Sequence, residues 1–334
     1  MEPTQFVGID VSAKHLVVQL QDPKGVIHSL EFDNTSTGHR QLAKKLSKKG
    51  RRTRVCLEWT GNYSLDVALA LDQAPGIELM IVNPKAAHNF AQALLKRSKT
   101  DNIDSRLLLE FVQRMPFQPW QAPSLTRLQL RATARRIRAL TQMSTQEKNR
   151  LHSTEFGQQI HQPIRQALQA HLKHLKRQIQ KLEESATDLV WNDAELRQQM
   201  VHLTSIKGIA RTSALQILAE LCVLPPDMTD RQWVAHAGLD PRHHESGSCV
   251  HKTTPISRTG NSHLRAALYM PALTTVQFEP NVRAFYQKLL QRGKKPLQAL
   301  VAVMRKLLHS IHAMLRQGRD FEGHKFFALE TPTP

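Results

Sequence analysis

Apolar and polar positions change their rhythm twice along this chain. Residues 5–11 (QFVGIDV) and 15–21 (HLVVQLQ) are short apolar-rich runs, predicting two strands joined by a tight turn at Ser12–Lys14. GVIHSLEF (25–32) fits a third strand, and TGHRQLAKKLSKKG (37–50) has helical spacing closing on Gly50, a C-cap residue type. TRVCLEW (53–59) reads as a fourth strand, SLDVALALDQA (64–74) as a helix, IELMIVN (77–83) as a strand and KAAHNFAQALLKR (85–97) as a helix. Strands first, then strand and helix in alternation, predict a mixed sheet flanked by helices. Prolines cluster in MPFQPWQAPS (115–124), which ends this first domain near residue 120.

From Leu125 the rhythm is helical and the polar positions turn basic. Past Pro163, Ile164, Leu168, Leu172, Leu175, Ile179 and Leu182 recur at steps of four and three, the seam of a coiled coil or an antiparallel helical hairpin, and a candidate surface for dimerisation. From about residue 195 the chain is helical at both ends, with a Gly-, Pro-, Ser- and His-rich middle (236–265) that reads as a long loop. The expected domains are therefore 1–120, a basic helical arm over 121–194, and a mainly helical 195–334.

Composition sharpens this picture. Of 334 residues, 46 are Lys or Arg and 28 are Asp or Glu, a formal charge of +18 that points to a polyanionic partner, most often nucleic acid. Aromatic residues are only 5%, which argues against a basic helix anchored at a membrane surface. Cys56, Cys222 and Cys249 stand far apart without a CxxC pair, so neither a disulfide framework nor a zinc motif is expected. The N-terminus lacks the basic-then-apolar pattern of a signal peptide, and no apolar run is long enough to span a bilayer; a cytoplasmic location is expected.

The chemistry-bearing positions are acids. Asp10 lies in the first predicted strand and Glu58 ends the fourth; Asp101 and Asp104 open the helix that follows SKT (98–100). Each acid has an ordinary explanation alone, Asp101 and Asp104 as helix-terminus acids above all. Acids inside apolar strands are costly unless paired or metal-bound. If neighbouring strands bring Asp10 and Glu58 together, the four form a cluster that needs cations, and hard oxygen ligands select Mg²⁺ or Mn²⁺. LTSIKGIARTSALQILAEL (203–221) reads as helix, tight turn at Lys207–Ala210, helix; Gly208 permits the turn and the second helix's N-terminus suits a phosphate oxygen, although Ala210 stands where a helix-hairpin-helix has a second glycine.

The order of Asp in VGIDVSAK (7–14), Glu in CLEWTGNY (56–63) and TDNID (100–104) before a helix resembles the RuvC-like, RNase H-type DEDD domain. With LTSIKGIARTSALQILAEL and HAGLDPRHHESGSC followed by ISRTGNSHLRAAL, nearly the whole chain is similar to insertion-sequence transposases of the IS-one-ten family, described as bridge-RNA-guided recombinases. That resemblance implies a serine in the 236–265 segment that becomes joined to DNA. Ser246 is the matching position and Ser248 its competitor. It also implies donor and target DNA and a structured non-coding RNA as partners, with a dimer to tetramer as the working assembly. Lys14, Lys99, Arg135, Arg136, Lys207, Gly208, Arg242, Lys252, Arg258 and Arg265 are the expected nucleic-acid contacts. Three other classes compete: a RuvC-like nuclease acting through activated water; an actin-like ATPase or sugar kinase, which GIDVSAK alone would allow but which needs a second Asp-Gly phosphate loop not found here; and a non-catalytic nucleic-acid-binding scaffold.

Overall fold

The computed structural model describes residues 4–47, 52–95, 101–156, 162–242, 245–246, 250–251 and 255–329. It divides into two compact units, residues 1–122 and 123–334.

The first unit is a mixed five-stranded sheet, consistent with an RNase H-like DEDD architecture. Its elements are β1 (Thr4–Val11), β2 (His15–Gln21), β3 (Ile27–Asp33), α1 (Ser36–Leu46), β4 (Arg52–Glu58), α2 (Asn62–Asp72), β5 (Ile77–Val82), α3 (Pro84–Ala93) and α4 (Asp101–Arg114). The strand order is β3-β2-β1-β4-β5. β2 is antiparallel to β1 and β3, while β1, β4 and β5 run parallel. Side chains alternate across a strand, and here the two parities go to different cores. Val7, Ile9, Val11, Val55 and Leu57 pack with Leu42 and Leu46 of α1 and Val67 and Leu71 of α2. Phe6, Cys56, Met80 and Val82 pack on the other face with Ala87 of α3 and Leu108, Leu109 and Phe111 of α4. Helix α1 ends at Leu46, and Gly50 lies outside the described residues.

The second unit contains α5 (Leu125–Ser153), α6 (Gln162–Trp191), α7 (Ala194–Thr204), α8 (Arg211–Leu221), α9 (Asp230–His236), β6 (Glu245–Ser246), β7 (Val250–His251), α10 (Ser262–Ala267), α11 (Tyr269–Phe278), α12 (Pro280–Gln291), α13 (Pro296–Gln317) and α14 (Gly323–Phe326). Early residues of α5 (Leu130, Ala134, Ile137) share one core with late residues of α6 (Ala186, Val190), whereas Glu147 near the end of α5 meets His171 near the start of α6. The two long helices are therefore antiparallel. Among the described residues no helix is long and apolar enough to cross a membrane.

Among the described residues of the segment expected to be a long loop, the chain is paired as a hairpin. Arg242 N–H donates to Pro255 O (2.8 Å), Ser257 N–H donates to Asp240 O (2.8 Å), and Ser246 pairs with Val250 in the antiparallel β6–β7 ladder. Its residues are mostly polar, so no period-two apolar pattern announced strands.

Candidate active site

Position along the strands decides which acids meet. Gly8, Asp10, Cys56 and Glu58 all have the parity of the α4 face. The parallel register pairs Gly8 with Cys56 and Ile9 with Leu57, so Asp10 and Glu58 come next, side by side at the strand ends. Helix α4 brings Asp101 and Asp104 in its first turn. What lets α4 come down on β1 is Gly8: a Cβ there would lie 2.2 Å from both Leu109 N and Ser105 O. A glycine inside a strand often marks such a backbone approach. That signal stood in VGID but pointed to a contact rather than to chemistry.

Electrostatically the four acids form one group. The carboxyl of Asp10 is pushed up from 3.8 to about 6, first by burial, then by the negative charges of Asp104, Asp101 and Glu58, against a smaller opposing hydrogen bond from the Val11 backbone. Repulsion of this kind is what a divalent cation relieves, and an all-carboxylate donor set fits Mg²⁺ or Mn²⁺. Among the described residues, no three Asp, Glu, His or Cys side chains lie close enough together to ligate one ion as they stand. Gln19, 6% exposed, steadies the arrangement. Its amide donates to Ser29 Oγ (2.9 Å) and, more weakly, to Asn102 Oδ1 (3.5 Å) in the first turn of α4. Sequence reasoning passed over Gln19 and Asn102, because a lone amide in a strand carries no pattern.

Ser246 is in the second unit, on the β6–β7 ladder; Ser248, Lys99 and Lys252 lie outside the described residues. Lys14, Arg136, Lys207, Arg242 and Arg258 are exposed. Three expected nucleic-acid contacts have other work. Arg135 Nε and Nη2 donate to the two carboxylate oxygens of Glu220 at 2.7 and 2.8 Å. Arg265 Nη1 donates to Ala237 O (2.7 Å). Gly208 has φ +102, its Cβ position lies 2.7 Å from Thr275 N, and its carbonyl accepts from Thr274 Oγ1 (2.6 Å). Backbone of α11 thus lies against the side that Gly208 leaves open. One reason underlies all three: sequence cannot say which way a charged or missing side chain faces once helices pack.

Glu220 is 2% exposed, and burial alone would raise its pKa; hydrogen bonds from Arg135 and Asn261 outweigh burial and hold it below the usual range. Arg135→Ala removes the forked partner of that carboxylate and leaves Asn261 as its side-chain donor; with the arginine 39% exposed, the loss is about 1–3 kcal/mol. A denaturant melt of the variant should show this loss, whereas a mere phosphate contact would leave the melt unchanged and lower only the salt dependence of DNA binding.

An acid-centred mixed sheet followed by a basic, mainly helical unit is the build of a DEDD transposase. Two family models match along the chain: the IS110-type DEDD transposase over residues 7–154, and the transposase IS116/IS110/IS902 family over residues 200–287. The chain belongs to the IS110 family of transposases. Relatives include the pilin gene-inverting protein of Moraxella bovis, 27% identical over 323 residues that span 95% of this chain and 97% of the relative. The pilin gene-inverting protein of Moraxella lacunata is 29% identical over 247 residues, 73% of this chain and 74% of that one. An uncharacterized 43.6 kDa protein of insertion element IS110 from Streptomyces coelicolor is 31% identical over 120 residues, 36% of this chain and 29% of that one.

Proposed function

We propose that this transposase is a site-specific DNA recombinase in which Asp10, Glu58, Asp101 and Asp104 hold the scissile phosphate through a divalent cation and Ser246 is the nucleophile. The observation that carries the reading is the coupling of Asp10 to the other three acids at the end of β1. A bound Mg²⁺ or Mn²⁺ would neutralise the acids and polarise the phosphate oxygens.

In the covalent step the Ser246 hydroxyl oxygen bonds to phosphorus as the bond from phosphorus to the 3′ oxygen breaks. The serine proton leaves with a base, and the departing 3′ oxygen takes up a proton to become a hydroxyl. The product is a 5′-phosphoserine. A 3′-hydroxyl from the other strand reverses the step and frees the serine, so the phosphodiester energy is conserved. Lys14, Arg136, Lys207, Arg242 and Arg258, all exposed, offer contacts to phosphates, as would Lys99 and Lys252. The charge of +18 supports nucleic-acid partners, donor and target DNA together with a structured RNA that selects them. Exchange between two duplexes calls for a dimer to tetramer, and the basic α5–α6 hairpin, with Ile164 51% exposed at its outer part, offers a surface for it. Relatives named for inverting a pilin gene favour recombination that conserves the DNA ends.

Ser246→Ala is expected to abolish covalent protein–DNA adducts, read on a denaturing gel after incubation with end-labelled DNA and the bound RNA, while RNA binding persists. Adducts that survive in this variant move the nucleophile to Ser248. Cleavage without any adduct, in wild type and variant alike, replaces this reading with hydrolysis by activated water.

A further inference from the structure

The two segments that flank the ladder of Ser246, residues 236–242 and 255–261, are paired with each other and tied to one polar node whose carboxylate is buried. The outgoing strand starts at the end of α9. His236 O accepts from Asn261 N–H (2.6 Å), Ala237 O accepts from Arg265 Nη1 (2.7 Å), and Gly238 O accepts from Arg258 N–H (3.2 Å). Two glycines permit this closeness. A Cβ on Gly260 (φ +115) would sit 2.3 Å from His236 O, and one on Gly238 (φ +64) 2.6 Å from Thr259 O. At the returning end, Asn261 does three jobs. Its backbone closes the strands, its Oδ1 caps α10 by accepting from His263 N–H (2.9 Å) and Leu264 N–H (3.1 Å), and its Nδ2 donates to Glu220 Oε2 (2.7 Å). Glu220 on α8 is in turn clamped by the Arg135 fork on α5.

A buried ion pair is a poor way to gain stability. Apolar packing of the same volume does as well or better, and the best-attested use of such a pair is to specify one arrangement among several. The arrangement tied down here is the pairing of residues 236–242 with 255–261. Nine residues separate Ala237 from Ser246, at most about 30 Å of extended chain at roughly 3.3 Å per residue. A misplacement of about 1 Å at the nucleophile is enough to cost roughly a hundredfold in rate. Past the base the two segments stay paired as far as Arg242 and Pro255. Asp240 holds Ser257 through both backbone (2.8 Å) and side chain (2.5 Å), and Arg242 holds Pro255 (2.8 Å).

We propose that Arg135, Glu220 and Asn261 are positioning residues that aim the serine hairpin at its phosphate. This rests on Ser246 being the nucleophile. The deciding variant is Asn261→Ser in the full-length protein: serine keeps the cap of α10 but is too short to reach Glu220. Expected are a fall of about tenfold or more in the rate of Ser246–DNA adduct formation, unchanged affinity for duplex DNA, and faster amide exchange confined to residues 237–261. Glu220→Gln, which keeps the acceptor for Asn261 but weakens the Arg135 clamp, should give an intermediate rate and serves as well if Asn261→Ser folds poorly. Wild-type adduct rates in both variants, or exchange that quickens evenly through the second unit, overturn the proposal. If the wild type forms no adduct at Ser246, the parent reading fails, and the exchange pattern still decides whether the node orders the hairpin.

Discussion

Gly8→Ala is expected to lower the stability of the first unit by about 3 kcal/mol or more, a drop of about 10 °C in melting temperature, and to abolish strand cleavage. Gly8 has no left-handed φ to blame. The whole effect is the methyl group, which would stand 2.2 Å from the backbone of Ser105 and of Leu109. Side chains relax around an extra methyl; a helix backbone cannot, except by moving as a body. Helix α4 would ride up, and Asp101 and Asp104 would go with it. Gly25, in a surface turn with φ +88 and nothing within 4 Å of its Cβ position, is the comparison: its alanine variant pays only the left-handed strain of about 1–2 kcal/mol and keeps its activity. Equal losses from the two substitutions would show that α4 is not seated on β1 as described. The melt should be followed by a probe in the first unit, such as Trp59 or Trp120 fluorescence in a chain whose Trp191 and Trp233 are replaced.

Asp10→Asn is expected to abolish cleavage while making the protein more stable near neutral pH. The carboxyl stands at 3.8 unfolded and about 6 folded, so the native state binds this proton more tightly. Its contribution to stability is complete below about pH 3.8 and disappears as pH rises through about 6. Above that, the folded protein carries a charge that burial and Asp104, Asp101 and Glu58 all disfavour. The melting-temperature difference, variant minus wild type, should therefore grow between pH 4 and pH 7; taking the difference cancels acids shifted the other way, such as Glu78 and Glu220. Added Mg²⁺ should raise the wild-type melting temperature and leave the variant nearly unmoved, because a ligand stabilises only the state that binds it. Loss of a direct ligand should cost more activity than the roughly 100-fold at the upper end for an outer-shell partner. A pH-independent difference, or a variant that still cleaves, removes Asp10 from the site.

The acids were legible in sequence because each broke a local rule. Asp10 and Glu58 interrupt apolar strands, and Asp101 and Asp104 share a helix start. Register turned those separate oddities into a cluster: two parallel strands with Ile9 beside Leu57 have no choice but to set Asp10 next to Glu58. Gly8 obeyed a rule that pointed in the right direction, but only the packed helix shows what approaches it. The hairpin around Ser246 could not be read, since Glu245, Ser246, Val250 and His251 alternate no apolar face and are held by backbone bonds. The contact of Arg135 was illegible for a different reason. In a basic helix it looks like its neighbour Arg136, and nothing local separates the arginine that meets Glu220 from the one that meets solvent.

By itself, then, the sequence determined the alternation of strands and helices, the excess of positive charge and which four acids are candidates, since these depend on period, composition and residues that are costly in their local setting. Only the tertiary structure decided which face of the sheet the acids share, how closely α4 approaches them, and which cations are already neutralised. Those are matters of distance between segments far apart in the chain, and burial and Coulomb energy depend on that distance, not on separation along the sequence.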